Sequence, residues 1–130
     1  MSSADTLIVF LYSYFPAILL GLFFWWLDRF ERASLLLVVL AFLWGSVGAI
    51  LISFFWNTFF HIVLLVSQNN SAASAMMSNV LVAPVVEELT KGVFLLVLLK
   101  LKKIDNVTDG ILLAILVGLG FAATENVYYA

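Results

Sequence analysis

Four ionisable residues stand in stretches that offer them no water. Glu87, Glu88 and Lys91 fall in "APVVEELTKG", residues 83–92, with the apolar "VFLLVLLK" after it; Glu125 follows "LLAILVGLGFAAT". A charge near a bilayer centre costs about 2.5 to 3.5 kcal/mol, so each group must be paired, protonated or wetted. Glu87 and Glu88 lie four and three residues before Lys91, so either can meet it on a helix. One lysine cannot neutralise both. Carboxylates gathered at one point could act as general bases on a water, bind a divalent cation through oxygen, or relay protons or ions. The residue types leave these three chemistries open. The competing structural readings are a buried ion pair for Glu87 and Lys91, and an interfacial position for Glu125 and Asn126. His61, the single histidine, sits beside an aromatic run, where a polar-tipped ring is ordinary. The chain has no cysteine, which removes disulfides, thiolate metal sites and a thiol nucleophile. Gly118 and Gly120 form no phosphate loop, since no strand precedes them.

The elements that must carry these groups are membrane helices. The 130 residues are 65% hydrophobic and 11% charged, with a mean hydropathy of +1.15, whereas soluble domains run near a quarter charged. The formal charge of −2 and the lack of a basic patch exclude nucleic acid as a partner. The expected fold is an all-α, polytopic transmembrane bundle in one domain, with about four crossings at roughly residues 7–27, 34–55, 80–100 and 109–130. The first apolar run lacks a basic leader and continues too long for a cleaved signal, so it is expected to remain as a span. Pro16 is placed to kink it. "FFWNTFF" (residues 54–60) reads as an aromatic belt, "HIVLLV" as a helix extension or an interfacial stretch, and residues 67–79 as a polar loop. Arg29 and Arg32 in one loop, and Lys100, Lys102 and Lys103 in another, put both loops in the cytoplasm. The expectation is a multi-pass cell-membrane protein with its N-terminus outside.

Span arithmetic then brings the carboxylates level. Entering from outside near residue 80, Glu87 and Glu88 lie about 10 to 12 Å along their helix; entering from inside at residue 109, Glu125 lies about 24 Å along its own. In a core of roughly 30 Å these depths agree within about one helical turn. Ala114, Gly118 and Ala122 form a small-residue stripe that Glu125 continues, and Ala41, Gly45, Gly48 and Ala49 form another; both are expected to face packed protein. Pro84 suits a first helical turn, so a helix starting there would aim its positive end and its first glutamates at one site.

These segments carry a family resemblance. "APVVEELTKG" resembles the Glu-Glu-x-x-Lys motif of the PrsW family of intramembrane proteases, related to the CAAX prenyl proteases. "DGILLAILVGLGFAATENVYYA" resembles that family's second motif, Gly-Phe-Ala followed by Glu-Asn, and "WWLDRFERASLLLVVLAFLWGSVGA" its N-terminal portion. The resemblance implies a protease that cleaves membrane-anchored proteins, notably an anti-sigma factor, near the outer face. It implies Glu87, Glu88 and Glu125 as catalytic residues, one activating water, with Lys91 and Asn126 in support. A divalent metal such as zinc is a candidate cofactor, with the three glutamates as its candidate ligands. The implied partners are the lipid bilayer and either a single-pass substrate or further membrane subunits. The family's histidine-bearing motifs in later spans have no match here, and His61 precedes both glutamate motifs. The expectation is therefore an N-terminal portion or a shortened homologue. The rival expectations are a catalytically incomplete helical subunit of a larger complex and, less favoured by so few spans, a conducting protein.

Overall fold

In the computed structural model, which describes residues 3–28, 33–68 and 71–130, every regular element is helical. Helix α1 spans Ser3–Leu27 with Pro16 inside it, α2 spans Leu35–Leu43, α3 Ile50–Gln68, α4 Ser71–Met77, α5 Ala83–Lys100 and α6 Val107–Tyr129. Two π-helical segments, Trp44–Ala49 and Ser78–Val82, join α2 to α3 and α4 to α5 without a break. By length and composition, Asp5–Leu27, Leu35–Ser67 and Val107–Tyr129 can each cross a membrane. The remaining expected crossing, 80–100, is helical, but Glu87, Glu88 and Lys91 make it the most charged of the long helices. The Arg29 and Arg32 loop lies outside the described residues.

Three boundaries differ from expectation. The second helix does not stop near residue 55: the run Leu35–Ser67 has 33 residues, about 50 Å at 1.5 Å per residue. "HIVLLV" is its extension, since nothing there breaks a helix. The polar loop expected at 67–79 is helical from Ser71, because Ala and Met are good helix formers and neither Gly nor Pro appears before Pro84. Pro84 stands in the first turn of α5, as expected, but that helix has no free start. It follows directly on the second π segment, whose wider turn gives room where a proline ring would clash with the carbonyl four residues back. The expected helix dipole aimed at the glutamates is absent, because the chain is already helical when it reaches them.

Helix α6 is the centre of the bundle. It packs against α1, α2, the first π segment and α5, and buries Leu112, Leu113, Leu116, Val117, Gly120, Phe121 and Ala123. The small-residue stripe on the second helix holds as expected: Ala41, Gly45 and Ala49 are buried. Gly45 lies directly against the Val117 carbonyl, and Gly120 against Phe42 and Ser46, so two backbones touch where side chains would normally intervene. The stripe on α6 does not hold: Ala114 and Ala122 are exposed, and Gly118 has open space around it. The face that packs lies one and two residues back from that stripe, through Leu113, Val117 and Phe121 and through Leu112, Leu116 and Gly120, where Gly120 permits the close approach.

The turn between α5 and α6 is closed by the chain itself. Lys102 takes φ 52. The Lys102 N–H donates to the Leu99 carbonyl at 3.1 Å, and the Lys103 N–H to the Leu98 carbonyl at 3.0 Å. This is a Schellman cap with lysine in the usual glycine place. Asn106 then caps α6, its Oδ1 accepting from the Asp109 N–H at 2.8 Å.

Candidate functional site

Two hydroxyl networks fix the helices that carry the glutamates. On α5, buried Thr90 donates its hydroxyl to the Glu87 carbonyl at 2.9 Å. A hydroxyl has one proton, so the 2.6 Å contact between Thr90 and Ser53 of α3 is a donation from Ser53. The Trp44 indole N–H donates to the Thr90 carbonyl at 3.0 Å, and its ring stacks on Phe94 at 5.9 Å. These bonds set the rotation of α5 against α3. On α6, Thr124 donates to the Ser46 carbonyl at 2.8 Å, which makes Tyr14 of α1 the donor in the 2.6 Å contact with Thr124. The neighbour of Thr124 is Glu125, so its helix is tied to α1 and to the first π segment together.

The result is a cleft of about 400 Å³ between α3, α5 and α6. Glu87 and Glu125 both line it, from different helices. Asn57, His61, Ser53 and Thr58 come from α3, Ser78 and Asn79 from the second π segment, and Thr124 and Tyr128 from α6. The Glu87 carboxyl is within electrostatic range of Glu125, Lys91 and Glu88, and Asn57 lines the same cleft. Glu125 is turned inward although its expected stripe is not. It follows Phe121 by four residues, and Phe121 is on the buried face.

Glu88 does not join that cleft. Its side chain is 74% exposed and its Oε1 pairs with Lys91 Nζ at 2.8 Å. Of the two possible partners for Lys91, the one three residues back is the one that pairs. Lys91 Nζ also lies 4.0 Å from the centre of the Phe121 ring; Lys91 is not among the residues lining the cleft, though it is within electrostatic range of Glu87. Asn126 is exposed and outside the cleft.

His61 does enter it, beside an aromatic belt whose members Phe54, Phe55, Trp56, Phe59 and Phe60 are all exposed; Phe54 lines the cleft as well, and the other four do not. Asn57, Ser53 and Thr58 were not expected as site residues from the sequence. The signal for two of them was present. Ser53, Asn57 and His61 recur every four residues on an otherwise apolar helix, which puts them on one face.

A catalytic zinc takes three protein ligands and keeps one position open. Among the described residues, no group of three His, Asp or Glu lies close enough to share an ion. Glu87 and Glu125 are two oxygen donors in one cleft, Glu88 faces away, and the donors present do not fit a three-ligand metal.

Residues 33–130 match the family model described as PrsW family intramembrane metalloprotease. No curated protein and no solved structure matches the chain.

Proposed function

The chain belongs to the PrsW family of intramembrane proteases, and on that premise we propose that Glu87 and Glu125 are its hydrolytic pair. The observation that carries this is their convergence on one cleft from α5 and α6. Glu87 takes a proton from water as the water oxygen bonds to the scissile carbonyl carbon. The carbon–nitrogen bond then breaks, and Glu125 passes that proton on to the leaving amine. The products are a carboxyl and an amine terminus, and proton exchange between the two glutamates and solvent resets the site. Glu88 and Lys91 brace the wall through Phe121 rather than touching substrate.

The proposed substrate is a single-pass membrane-anchored protein cut near the outer face. Glu125 lies 18 residues beyond the start of α6 at Val107, about 27 Å from the lysine-bearing turn at 1.5 Å per residue. If that turn and the Arg29 and Arg32 loop are cytoplasmic by the positive-inside rule, the N-terminus is outside and the cleft is near the outer edge of a core of roughly 30 Å. One observation favours a second reading, a catalytically incomplete subunit within a larger membrane complex: the described residues bring no third metal donor to the two glutamates.

Cleavage of a single-pass peptide in liposomes separates the two readings. The pair predicts losses of about 10² to 10⁴ in rate for Glu87→Gln and for Glu125→Gln, the range for positioned acid and base groups, with insertion unchanged. Full cleavage by both variants would sink the proposed chemistry; no cleavage by the unaltered protein would favour the subunit.

A further inference from the structure

The helix that carries Asn57 and His61 is too long for the membrane it crosses. Leu35–Ser67 has 33 residues, about 50 Å at 1.5 Å per residue, against a hydrocarbon core of roughly 30 Å. At a tilt of about 40°, the top of the usual range, it still spans about 38 Å. At least about 8 Å of it therefore stands beyond the core. Helix α6 shows at which end. Ser34 and Asn106, the caps of α2 and α6, line one cavity, so the two helices start level. Helix α6 has 23 residues, about 35 Å and one crossing. It ends at Tyr128 and Tyr129, both exposed, and Tyr128 lines the cleft together with Phe54. The end of α6 is thus level with the start of the belt at 54–60, and aromatic girdles mark a membrane–water boundary. What projects is α3 beyond Phe60, with α4 and the second π segment folded back along it. Ser74 fastens the two limbs, donating to the Leu64 carbonyl at 3.0 Å.

The projecting limbs are not built for open water. Residues 61–82 contain no Asp, Glu, Lys or Arg. Phe55, Phe59, Ile62 and Val66 follow one another at helical spacing, so they form one stripe on α3. All four are exposed, Val66 at 81%. The stripe runs unbroken from the aromatic belt onto the projecting turns. Met76, Val80 and Leu81 on the returning limb are exposed as well. The other side is polar: His61, Ser78 and Asn79 line the cleft. Headgroups occupy about 5 to 7 Å on each side of the core, and an apolar helix face beds about 5 to 10 Å into the boundary of headgroups and chains. Both lengths match the overhang of a steeply tilted α3. We propose that these limbs form a lipid-contacting lip: their apolar back lies in the headgroup layer at the face opposite the lysine turn, and their polar side forms the mouth of the cleft. The lipid surface is then the partner of residues 61–82, and the cleft opens among headgroups rather than into bulk water. The hydrolytic reading is not a premise of this proposal.

The chain has no cysteine, so single spin labels report depth in the full chain, in phosphatidylcholine liposomes. Phe55→Cys supplies the lipid reference, and Lys103→Cys, exposed in the turn between α5 and α6, the water reference. Ile62→Cys, Val66→Cys and Met76→Cys report on the lip. Power saturation compares collisions with oxygen, which gathers in lipid, and with a water-soluble nickel chelate. The oxygen-to-nickel ratio at the three lip positions should fall between the two references, and lower at Val66 than at Ile62, since α3 rises toward water. Ratios at Val66 and Met76 equal to the water reference overturn the proposal, because the limbs then stand in water. Few collisions with either probe also overturn it, because protein then covers the lip. If one variant does not insert, the other two decide. The two sides are compared at one depth: Asn79→Cys, on the cleft side, should show a lower ratio than Val80→Cys beside it, and the reverse order overturns the assignment of sides. Peptide cleavage enters no arm, so failure of the hydrolytic pair leaves this result unchanged.

Discussion

The placement of α6 against the second helix should be the most fragile feature of the molecule, and Gly45 is where to test it. A Cβ built on Gly45 would fall on the Val117 carbonyl oxygen, 2.8 Å from the carbonyl carbon and 3.0 Å from the Phe121 nitrogen. All three are main-chain atoms, so no side chain can rotate away. Moving the carbon from 2.8 Å out to the 3.4 Å where ordinary contact begins requires a backbone shift of about 0.6 Å, and clearing the oxygen requires more. Overpacking of this kind costs about 1 to 3 kcal/mol. The shift also acts on function, because the Thr124 bond to Ser46 spans the same interface at the residue before Glu125. A misplacement of about 1 Å at a reacting group can cost on the order of 10²-fold in rate. Gly45→Ala should therefore lose stability in a detergent-unfolding titration and lose most peptide cleavage. Gly118→Ala is the control. Nothing lies within 4 Å of a Cβ at Gly118, and alanine in place of glycine inside a helix gains about 0.5 to 1 kcal/mol. That variant should be as stable as the parent or more so. Equal behaviour of the two variants would refute the claim that backbone contact at Gly45 sets the position of α6.

Two further outcomes follow from the orientation of α5. Because Glu88 is outside the cleft and paired with Lys91, Glu88→Gln should slow cleavage by at least about tenfold less than Glu87→Gln, whose loss falls in the range for a positioned base; equal losses would place both glutamates at the reacting centre. The chain has no cysteine, so paired substitutions give clean cross-linking: Glu87→Cys with Glu125→Cys should be joined by a short bifunctional thiol reagent in the folded protein. Glu88→Cys with Glu125→Cys should not, and the reverse pattern would rotate α5 from the position described.

The class of fold and the meeting of Glu87 with Glu125 were legible because they depend on length. Apolar runs of spanning length give helices, and rise per residue gives depth, whichever way a helix faces. Rotation about the helix axis was not legible. Adjacent glutamates point about 100° apart on a helix of 3.6 residues per turn, and the choice between them is made by Thr90 bonding to Ser53 and Trp44, contacts far apart in sequence. The stripe Ala114, Gly118 and Ala122 misled for a related reason. In lipid every face of α6 is apolar, so small residues mark faces that can pack closely without saying which one does. The helical character of 71–82 was hidden by its polarity, since serine and asparagine suggest a loop even where nothing ends a helix. Asn57 was within reach of the sequence, through its four-residue spacing from Ser53 and His61, but its aromatic neighbours drew attention to the opposite face.

The central claim is that Glu87 and Glu125 act as one hydrolytic unit, and the direct measurement is single-turnover cleavage of a membrane-spanning peptide by four proteins: the parent, Glu87→Gln, Glu125→Gln and the double variant. Groups that act together are strongly non-additive. The double variant should therefore be no slower than the worse of the two single variants, each being about 10² to 10⁴ below the parent. Losses that multiply in the double variant, or a single variant with the parent's rate, would contradict it.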